Sequence, residues 1–184
     1  MCIRDRLRPG DTVLIQFGHN DADRVKIVRF TDPQGAYTDN LTRFVADVRA
    51  AGGQPVLVTP IAKHLFVDGK VQESHAGYAE AIRQVAQRTG APLIDLDADM
   101  MGAQQARGEA GSRGFYLIYT PQDGVARYPN GNTDTTHINE GGARLAASLV
   151  AARLAFLKLP VSAYVRPAST GVQPILGGPR CLGR

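Results

Sequence analysis

The sequence predicts an α/β fold in which a parallel sheet lies between two layers of helices. Short apolar runs typical of strands alternate along the chain with segments whose apolar residues recur at helical spacing. The strand-like runs are almost continuously apolar, as expected for strands that helices cover on both faces. The 184 residues are 43% hydrophobic and 21% charged, a globular composition that suits one domain with a substantial core.

The first third of the chain contains a strand, a helix and a second strand. Residues 12–17 form the first predicted strand, which follows a Pro-Gly-Asp turn. A helix is predicted from Tyr37 to Val48, because the apolar residues of this segment fall on one face, and Gly52 ends it. Residues 55–60 form the second strand, which prolines bound at both ends.

The middle of the chain repeats the pattern and then loses it. A second helix is predicted from Ser74, which can cap it, to Gly90, and a third strand at residues 92–96. A short helix is predicted at residues 98–107. Residues 108–133 are rich in Gly, Pro, Asn and aromatic side chains, which indicates a long structured loop.

The C-terminal part is predicted to hold the last helix, at residues 140–157, followed by a tail. We expect a possible non-native start at residues 1–6, one domain at residues 7–158 and a poorly ordered Pro/Gly-rich tail at residues 159–184.

Composition and charge argue against several classes of protein. The apolar runs are too short to span a membrane, and the first residues are charged where a secretion signal would be apolar. The 21 basic and 17 acidic residues are scattered, so the net charge of +4 does not predict a nucleic-acid surface. Cys2 and Cys181 lie near opposite ends, and no pair of histidines has a ligand spacing supported by carboxylates, so neither a metal nor another cofactor is predicted.

One candidate site segment, Gly18-His19-Asn20-Asp21, directly follows the first strand, where parallel sheets bind their ligands. Glycine permits a sharp turn there. The amide of Asn20 can stabilise an oxyanion without titrating. The alternative is that Asn20 and Asp21 only form an Asx turn or a helix cap.

The second candidate segment, Asp134-Thr135-Thr136-His137, immediately precedes the last helix. The spacing lets the carboxylate of Asp134 bond one ring nitrogen of His137 and leaves the other nitrogen as a general base. The alternative is a loop whose Asp and His only cap the helix.

Together the two segments resemble the third and fifth conserved blocks of the SGNH/GDSL hydrolase superfamily. Within it the chain is most similar to the rhamnogalacturonan acetylesterase family, over roughly residues 7–158. The other segments that carry the similarity are Leu7-Arg8-Pro9-Gly10-Asp11, Gln16-Phe17, Tyr37, Asn40-Leu41, Pro55 to Ile61, His75 with Gly77-Tyr78, Tyr128-Pro129 and Gly141-Gly142-Ala143.

This resemblance implies a flavodoxin-like three-layer αβα sandwich and a serine esterase that removes acetyl groups from pectic polysaccharides such as rhamnogalacturonan. It implies that His137 is the general base, that Asp134 orients it, and that Asn20 belongs to the oxyanion hole, with Gly18 holding the turn. The implied partner is an acetylated polysaccharide or a small acyl ester, with no partner protein, nucleic acid or membrane. The polymeric substrates of the family lead us to expect a secreted or periplasmic parent protein.

The nucleophile of the family, a serine in a Gly-Asp-Ser segment ahead of the Gly-x-Asn-Asp block, has no counterpart in this sequence. The serines present are Ser74, Ser112, Ser148, Ser162 and Ser169, and only Ser112, in the long loop, does not fall in a predicted helix, cap or tail. We therefore expect a partial SGNH hydrolase domain that lacks its first strands, with residues 12–17 as an exposed apolar edge. We also expect negligible esterase activity from the chain as printed.

Two alternatives to a carbohydrate acetylesterase stay open. One is a non-catalytic protein that binds acetylated glycans or a partner through the residual cleft, and the other is a lipase or thioesterase of the same superfamily. His64 and Tyr128 are possible substrate contacts, against the alternatives of a surface histidine and a loop anchor. Packing or structural roles are expected for His19 and His75.

Overall fold

The computed structural model describes residues 6–75 and 77–166 and divides them into short strands and four longer helices. The strands are β1 (Thr12–Gln16), β2 (Gln54–Val58), β3 (Phe66–Val67), β4 (Lys70–Val71), β5 (Leu93–Ile94), β6 (Tyr116–Tyr119) and β7 (Asn132–Ile138). The helices are α1 (Ala36–Ala50), α2 (Tyr78–Thr89), α3 (Leu96–Ser112) and α4 (Glu140–Phe156).

The centre of the molecule is a parallel sheet with the strand order β1-β2-β5. Successive side chains of a strand point to opposite faces, so the strands contribute to two cores. Ile15 and Leu57 pack against α1 and α2 on one face. Val56, Val58 and Ile94 pack with residues of α3 and α4 on the other face. This three-layer αβα arrangement confirms the predicted fold class.

β1 forms one edge of the described sheet, since it pairs only with β2 there. Leu14 is 43% exposed and Phe17 50% exposed, although both lie in an apolar strand-like run. Between β1 and α1 lies an open groove of about 660 Å³, to which Leu7 and Phe44 also contribute. The exposed apolar edge expected from the sequence is therefore present.

The segment predicted as a loop, residues 108–133, contains regular structure, which corrects the prediction. α3 continues past a non-helical Gly108 (φ +69°) to Ser112 instead of ending near residue 107. β6 then pairs antiparallel with β7. Local composition did not reveal the hairpin because residues 120–131, which connect its strands, are longer than the short turns that mark a hairpin in a sequence.

The start of α2 also differs from the prediction. The hydroxyl of Ser74 accepts the main-chain N–H of Lys63 at 2.9 Å, and the N-cap of α2 is Gly77 instead of Ser74. α2 begins three residues later than a Ser74 cap would place it, after Gly77 in a left-handed conformation.

The first turn of α4 is fixed against β6. The side chain of Asn139 accepts the N–H of Gly142 at 3.0 Å and donates to the carbonyl oxygens of Gly114 and Tyr116 at 2.9 and 3.0 Å. A Cβ at position 142 would overlap the carbonyl oxygen of Phe115, so only glycine fits there. These contacts of Asn139 fix the end of β7, and with it the position of His137, two residues earlier.

Two expectations about the ends of the chain fall mainly on residues that the structure does not describe. The expected non-native start and most of the expected tail lie outside the described residues, at positions 1–5 and 167–184. Within the tail, Pro160–Tyr164 forms a short 3-10 helix. No described helix is both long and apolar enough to cross a bilayer.

Candidate active site

A short loop after β2 connects the two candidate site segments. The Nε2 of His19 donates to the carbonyl oxygen of Ile61 at 3.1 Å. Three residues further on, the main-chain N–H of His64 donates to the carbonyl oxygen of Thr135 at 2.8 Å. The loop therefore contacts both Gly18-His19-Asn20-Asp21 and Asp134-Thr135-Thr136-His137. It ties together segments that are more than a hundred residues apart in sequence.

Gly18 makes the sharp turn that the sequence predicted. Its φ is +127°, and a Cβ there would lie 3.1 Å from the hydroxyl of Tyr37 and 3.3 Å from Cγ of Pro60. Its N–H donates to Oδ2 of Asp21 at 3.0 Å. Asp21 thus closes the turn from its C-terminal side, by accepting a main-chain N–H three residues earlier in the chain. Because this N–H is engaged, Gly18 shapes the turn and does not itself offer an oxyanion donor.

The hydroxyls of Tyr78 and Thr31 stabilise this turn through hydrogen bonds. Tyr78 Oη lies 2.8 Å from the carbonyl oxygen of Asp21 and 2.7 Å from that of Thr31, and its hydroxyl donates to this pair of acceptors. The hydroxyl of Thr31 donates to Oδ1 of Asp21 at 2.9 Å. Burial, and then the charge of Asp21, raises the pKa of Tyr78, so its hydroxyl stays protonated as a donor.

Asn20 stands exposed at the tip of the turn, with its carbonyl oxygen held by Arg29. The Nη1 of Arg29 lies 3.2 Å from Oδ1 of Asn20. A guanidinium group has only donors, so the oxygen of the amide must face Arg29 and the NH₂ group must face away. The donors of Asn20 form no hydrogen bond with any described residue, which leaves them available to an incoming anion. Sequence reasoning missed Arg29, because no spacing rule links it to Asn20.

Asp134 and His137 form the hydrogen-bonded pair that their spacing predicted. Oδ2 of Asp134 lies 2.7 Å from Nδ1 of His137. Oδ1 accepts the main-chain N–H groups of Thr136 and His137, each at 2.9 Å. The His137 side chain is 75% exposed, and its Nε2 bonds to no described residue. Burial alone would raise the pKa of Asp134, but these N–H groups and the His137 ring lower it, so the carboxylate stays ionised.

His19 lies within electrostatic range of this pair. Burial, the nearby His75 and the charges of Lys63 and His137 lower the pKa of His19 to about 4, against the opposing effect of its bond to Ile61. His19 is therefore neutral at physiological pH.

Beneath His19 lies a buried polar network. The side chain of His75 is fully buried, and its Nδ1 is 3.3 Å from Oδ1 of Asp97. Arg83 donates to both oxygens of Asp95, at 2.8 and 2.9 Å, and to Asp97 at 3.3 Å. Burial would raise the pKa of Asp95, but its bonds with Arg83 lower it. Sequence reasoning assigned His75 a structural role, and its burial agrees with that assignment.

One group in this network has metal-ligand chemistry. Potential ligand atoms of Glu73, His75 and Asp97 lie within 4.8 Å of one another. The guanidinium of Arg83 already contacts Asp97 and places a fixed positive charge beside the cluster. This guanidinium competes with any cation for the carboxylate of Asp97, so we assign no metal to these residues.

The ring of His64, a predicted substrate contact, is engaged inside the protein. Its Nε2 lies 3.0 Å from the carbonyl oxygen of Glu109 and 3.1 Å from the hydroxyl of Ser112, and the ring packs edge-on against Tyr116. Ser112 is fully buried, and its hydroxyl donates to the carbonyl oxygen of Gly108 at 2.7 Å. Although this is a Ser–His contact, a substrate cannot reach Ser112, so it is not a nucleophile.

Tyr128, the other predicted substrate contact, stacks on Tyr119 with ring centroids 5.6 Å apart. The guanidinium of Arg127 lies over the Tyr128 ring at 5.8 Å. These contacts agree with the loop-anchor alternative, while the half-buried ring leaves part of its surface open. A substrate contact by Tyr128 stays a prediction.

Comparison with known proteins defines the family of this chain. The chain belongs to the GDSL-like lipase/acylhydrolase family, a family of carboxylic ester hydrolases whose model matches residues 3–145. The resemblance inferred from the sequence is thereby confirmed. Among curated relatives, the rhamnogalacturonan acetylesterase RhgT of Bacillus subtilis is 32% identical over 164 residues, which cover 89% of this chain and 68% of RhgT. The probable rhamnogalacturonan acetylesterase YesY of the same organism is 31% identical over 160 residues, 87% of this chain and 69% of YesY.

Two solved structures share the fold. Protein YXIM from Bacillus subtilis superposes with a TM-score of 0.67 at 22% identity over 86% of this chain. The chain spans 40% of the length of that protein. A catalytic mutant of Axe2, an acetylxylan esterase from Geobacillus stearothermophilus, superposes with a TM-score of 0.53 at 18% identity, over 78% of this chain and 58% of Axe2.

Proposed function

We propose that this chain is the part of a carbohydrate acetylesterase that carries the general base, and that the enzyme acts on acetylated rhamnogalacturonan. The observation that carries the proposal is the pair formed by Asp134 and His137, 2.7 Å apart, with an exposed imidazole whose Nε2 bonds to none of the described residues. The unengaged amide donors of Asn20 support it. The names of the two curated relatives point to this substrate.

In the proposed reaction His137 moves protons and Asn20 stabilises charge. As a serine oxygen bonds to the acetyl carbon, its proton passes to Nε2 of His137, and the carbonyl oxygen becomes an oxyanion that the NH₂ of Asn20 binds. Asp134 keeps Nδ1 protonated and the ring oriented. When the intermediate collapses, the sugar oxygen leaves with the proton from Nε2. Water then repeats the sequence on the acetyl-serine and releases acetate.

The printed chain has the base and one oxyanion donor but no Gly-Asp-Ser segment. We therefore propose that it binds acetylated oligosaccharide and does not hydrolyse it by the serine route. His137 acting on water would lack covalent catalysis and part of the oxyanion hole. One hole donor alone is typically worth about 10²–10³ in rate.

A chimera tests the catalytic roles. The Gly-Asp-Ser segment of a family esterase is placed ahead of Leu7, and acetate release from acetylated rhamnogalacturonan is measured. We expect activity that His137→Ala abolishes and that Asn20→Ala lowers about 10²–10³-fold in kcat. Arg144→Ala, which breaks an exposed ion pair with Glu140 on α4, is the matched control and should leave the rate unchanged. Activity that survives His137→Ala would refute the assignment of the base.

The chain as printed provides the complementary test. We expect no acetate release above background and saturable binding of an acetylated rhamnogalacturonan oligosaccharide, measured by calorimetry. Acetate release that depends on His137 would contradict the proposed inactivity. Tighter binding of the deacetylated than of the acetylated oligosaccharide would contradict the proposed recognition of the acetyl group.

A further inference from the structure

We infer that His19 is a specificity-determining residue whose Nδ1 accepts a hydrogen bond from a sugar hydroxyl of the bound glycan. The inference rests on the proposed function, because it takes a carbohydrate as the ligand. It gives a binding role to a residue for which sequence reasoning expected only packing. Three features of the structure support it: the tautomer of the ring, its fixed orientation and its position.

The tautomer follows from the partner of Nε2. That nitrogen lies 3.1 Å from the carbonyl oxygen of Ile61, and a carbonyl oxygen can only accept a hydrogen bond. Nε2 must therefore carry the proton. In a neutral imidazole the other nitrogen is then an acceptor, and Nδ1 of His19 bonds to no described residue. Because burial lowers the pKa of His19 to about 4, the ring is neutral near neutral pH and this arrangement persists under physiological conditions.

The orientation of the ring is fixed from two sides. The bond to Ile61 holds one edge. The buried ring of His75 packs against it at 83°, with centroids 4.8 Å apart, and Asp97 holds His75 in turn. A ring held in this way loses little further entropy when a ligand binds, which favours a directional hydrogen bond.

The position of His19 places this acceptor at the candidate site. It stands between the Gly18 turn and the proposed oxyanion donor Asn20, and the loop after β2 that holds its ring at Ile61 also bonds to Thr135. A sugar that presents an acetyl ester to His137 carries hydroxyl groups on neighbouring carbons. These hydroxyls are donors, which match an acceptor that cannot become a cation near neutral pH.

The first experiment measures the tautomer without any ligand. Long-range ¹⁵N NMR on the full chain, with the four histidines assigned by single substitutions, should show His19 protonated only on Nε2 and unchanged between pH 8 and pH 5. A His19 protonated on Nδ1, or cationic in this range, would overturn the inference, because Nδ1 would then be a donor.

The second experiment measures binding of an acetylated rhamnogalacturonan oligosaccharide to the full chain, which does not consume the ligand under the proposed function. His19→Gln keeps a donor that can reach Ile61 but removes the acceptor at the δ position. His19→Asn places an oxygen acceptor at that position. We expect His19→Gln to weaken binding about 3- to 10-fold, the range for one hydrogen bond, and His19→Asn to weaken it less. Melting temperatures equal to that of the wild type show that both variants keep the fold.

A set of monodeoxy analogues separates a direct contact from a structural effect. For the analogue that lacks the contacted hydroxyl, wild type and His19→Gln should bind equally. If the wild type binds the oligosaccharide and His19→Gln binds every analogue as the wild type does, the inference is wrong and the proposed function stands. If the wild type binds no acetylated oligosaccharide, the proposed function fails, and the inference fails with it.

Discussion

The main-chain N–H of His64 donates to the carbonyl oxygen of Thr135 at 2.8 Å, and this bond ties the loop after β2 to the strand that carries the Asp–His pair. Thr135 lies between Asp134 and His137, so the bond acts directly on the segment that holds the candidate base. Three residues earlier the same loop accepts a hydrogen bond from His19. The loop at residues 61–64 therefore sets the position of both candidate site segments.

We expect Gly18→Ala to destabilise the protein by about 1–3 kcal/mol, because the left-handed φ of +127° strains any side chain and the new Cβ would crowd Tyr37 and Pro60. Urea unfolding followed by circular dichroism measures the change. The control is Gly102→Ala in α3, where nothing lies within 4 Å of the new Cβ. There alanine should stabilise by about 0.5–1 kcal/mol. Equal effects at the two positions would contradict the turn geometry.

Tyr78→Phe removes the hydroxyl that lies between the carbonyl oxygens of Asp21 and Thr31. We expect a loss of about 1–2 kcal/mol in the free energy of unfolding, because two partly buried acceptors lose their shared donor. Hydrogen exchange of the main-chain amide of Gly18, which bonds to Asp21, should also become faster. Tyr164→Phe, at an 83% exposed ring, should change neither quantity. An unaltered Gly18 exchange rate in Tyr78→Phe would show that the hydroxyl does not hold the turn.

Asp95→Asn should make the stability of the protein less dependent on acid pH. The pKa of Asp95 is lowered in the folded state, chiefly through its two bonds with Arg83, against the raising effect of burial. A lowered folded pKa stabilises the protein above the unfolded pKa of about 4. That contribution disappears as the pH falls from there through the folded pKa. Thermal melts between pH 7 and pH 2 should show a smaller acid loss in the variant.

At neutral pH we expect Asp95→Asn to cost about 1–3 kcal/mol, since an amide can still cap α3 but no longer pairs with a guanidinium. Asp39→Asn, exposed in the first turn of α1, is the control and should change stability by less than about 0.5 kcal/mol. A variant whose acid melting curve parallels that of the wild type would refute the role of the pair.

Leu14→Lys should reduce self-association of the chain. Leu14 is 43% exposed on the edge strand β1, whose outer side pairs with no described residue, and a lysine there opposes edge-to-edge pairing. Light scattering coupled to size exclusion should show a mass that rises with concentration for the wild type and stays monomeric for the variant. Val25→Lys, at a 92% exposed side chain away from the sheet, tests whether charge alone is responsible. If Val25→Lys reduces self-association as much as Leu14→Lys does, the chains do not associate through the edge of β1.

The sequence predicted the elements that depend on local periodicity and turn chemistry. The apolar runs of β1 and β2 and the helical spacing in α1 and α4 appear as expected. A strand or helix that is buried on one or both faces needs apolar residues at a regular spacing, and this spacing is visible in the sequence. The pair of Asp134 and His137 was also predictable, since three residues of chain are enough to bring carboxylate and imidazole together. The hairpin of β6 and β7 was not predictable, because its pairing is not local.

The sequence by itself determined the layered fold and the family, and it indicated Asp134 and His137 as candidates for acid–base chemistry. Only the tertiary structure decided that Arg29 holds the oxygen of Asn20, that His64 turns into the protein, and that the proton of His19 sits on Nε2. The physical reason is that residue type and spacing limit which hydrogen bonds a side chain can form. The partner it receives depends on chain segments that are brought together only when distant elements pack.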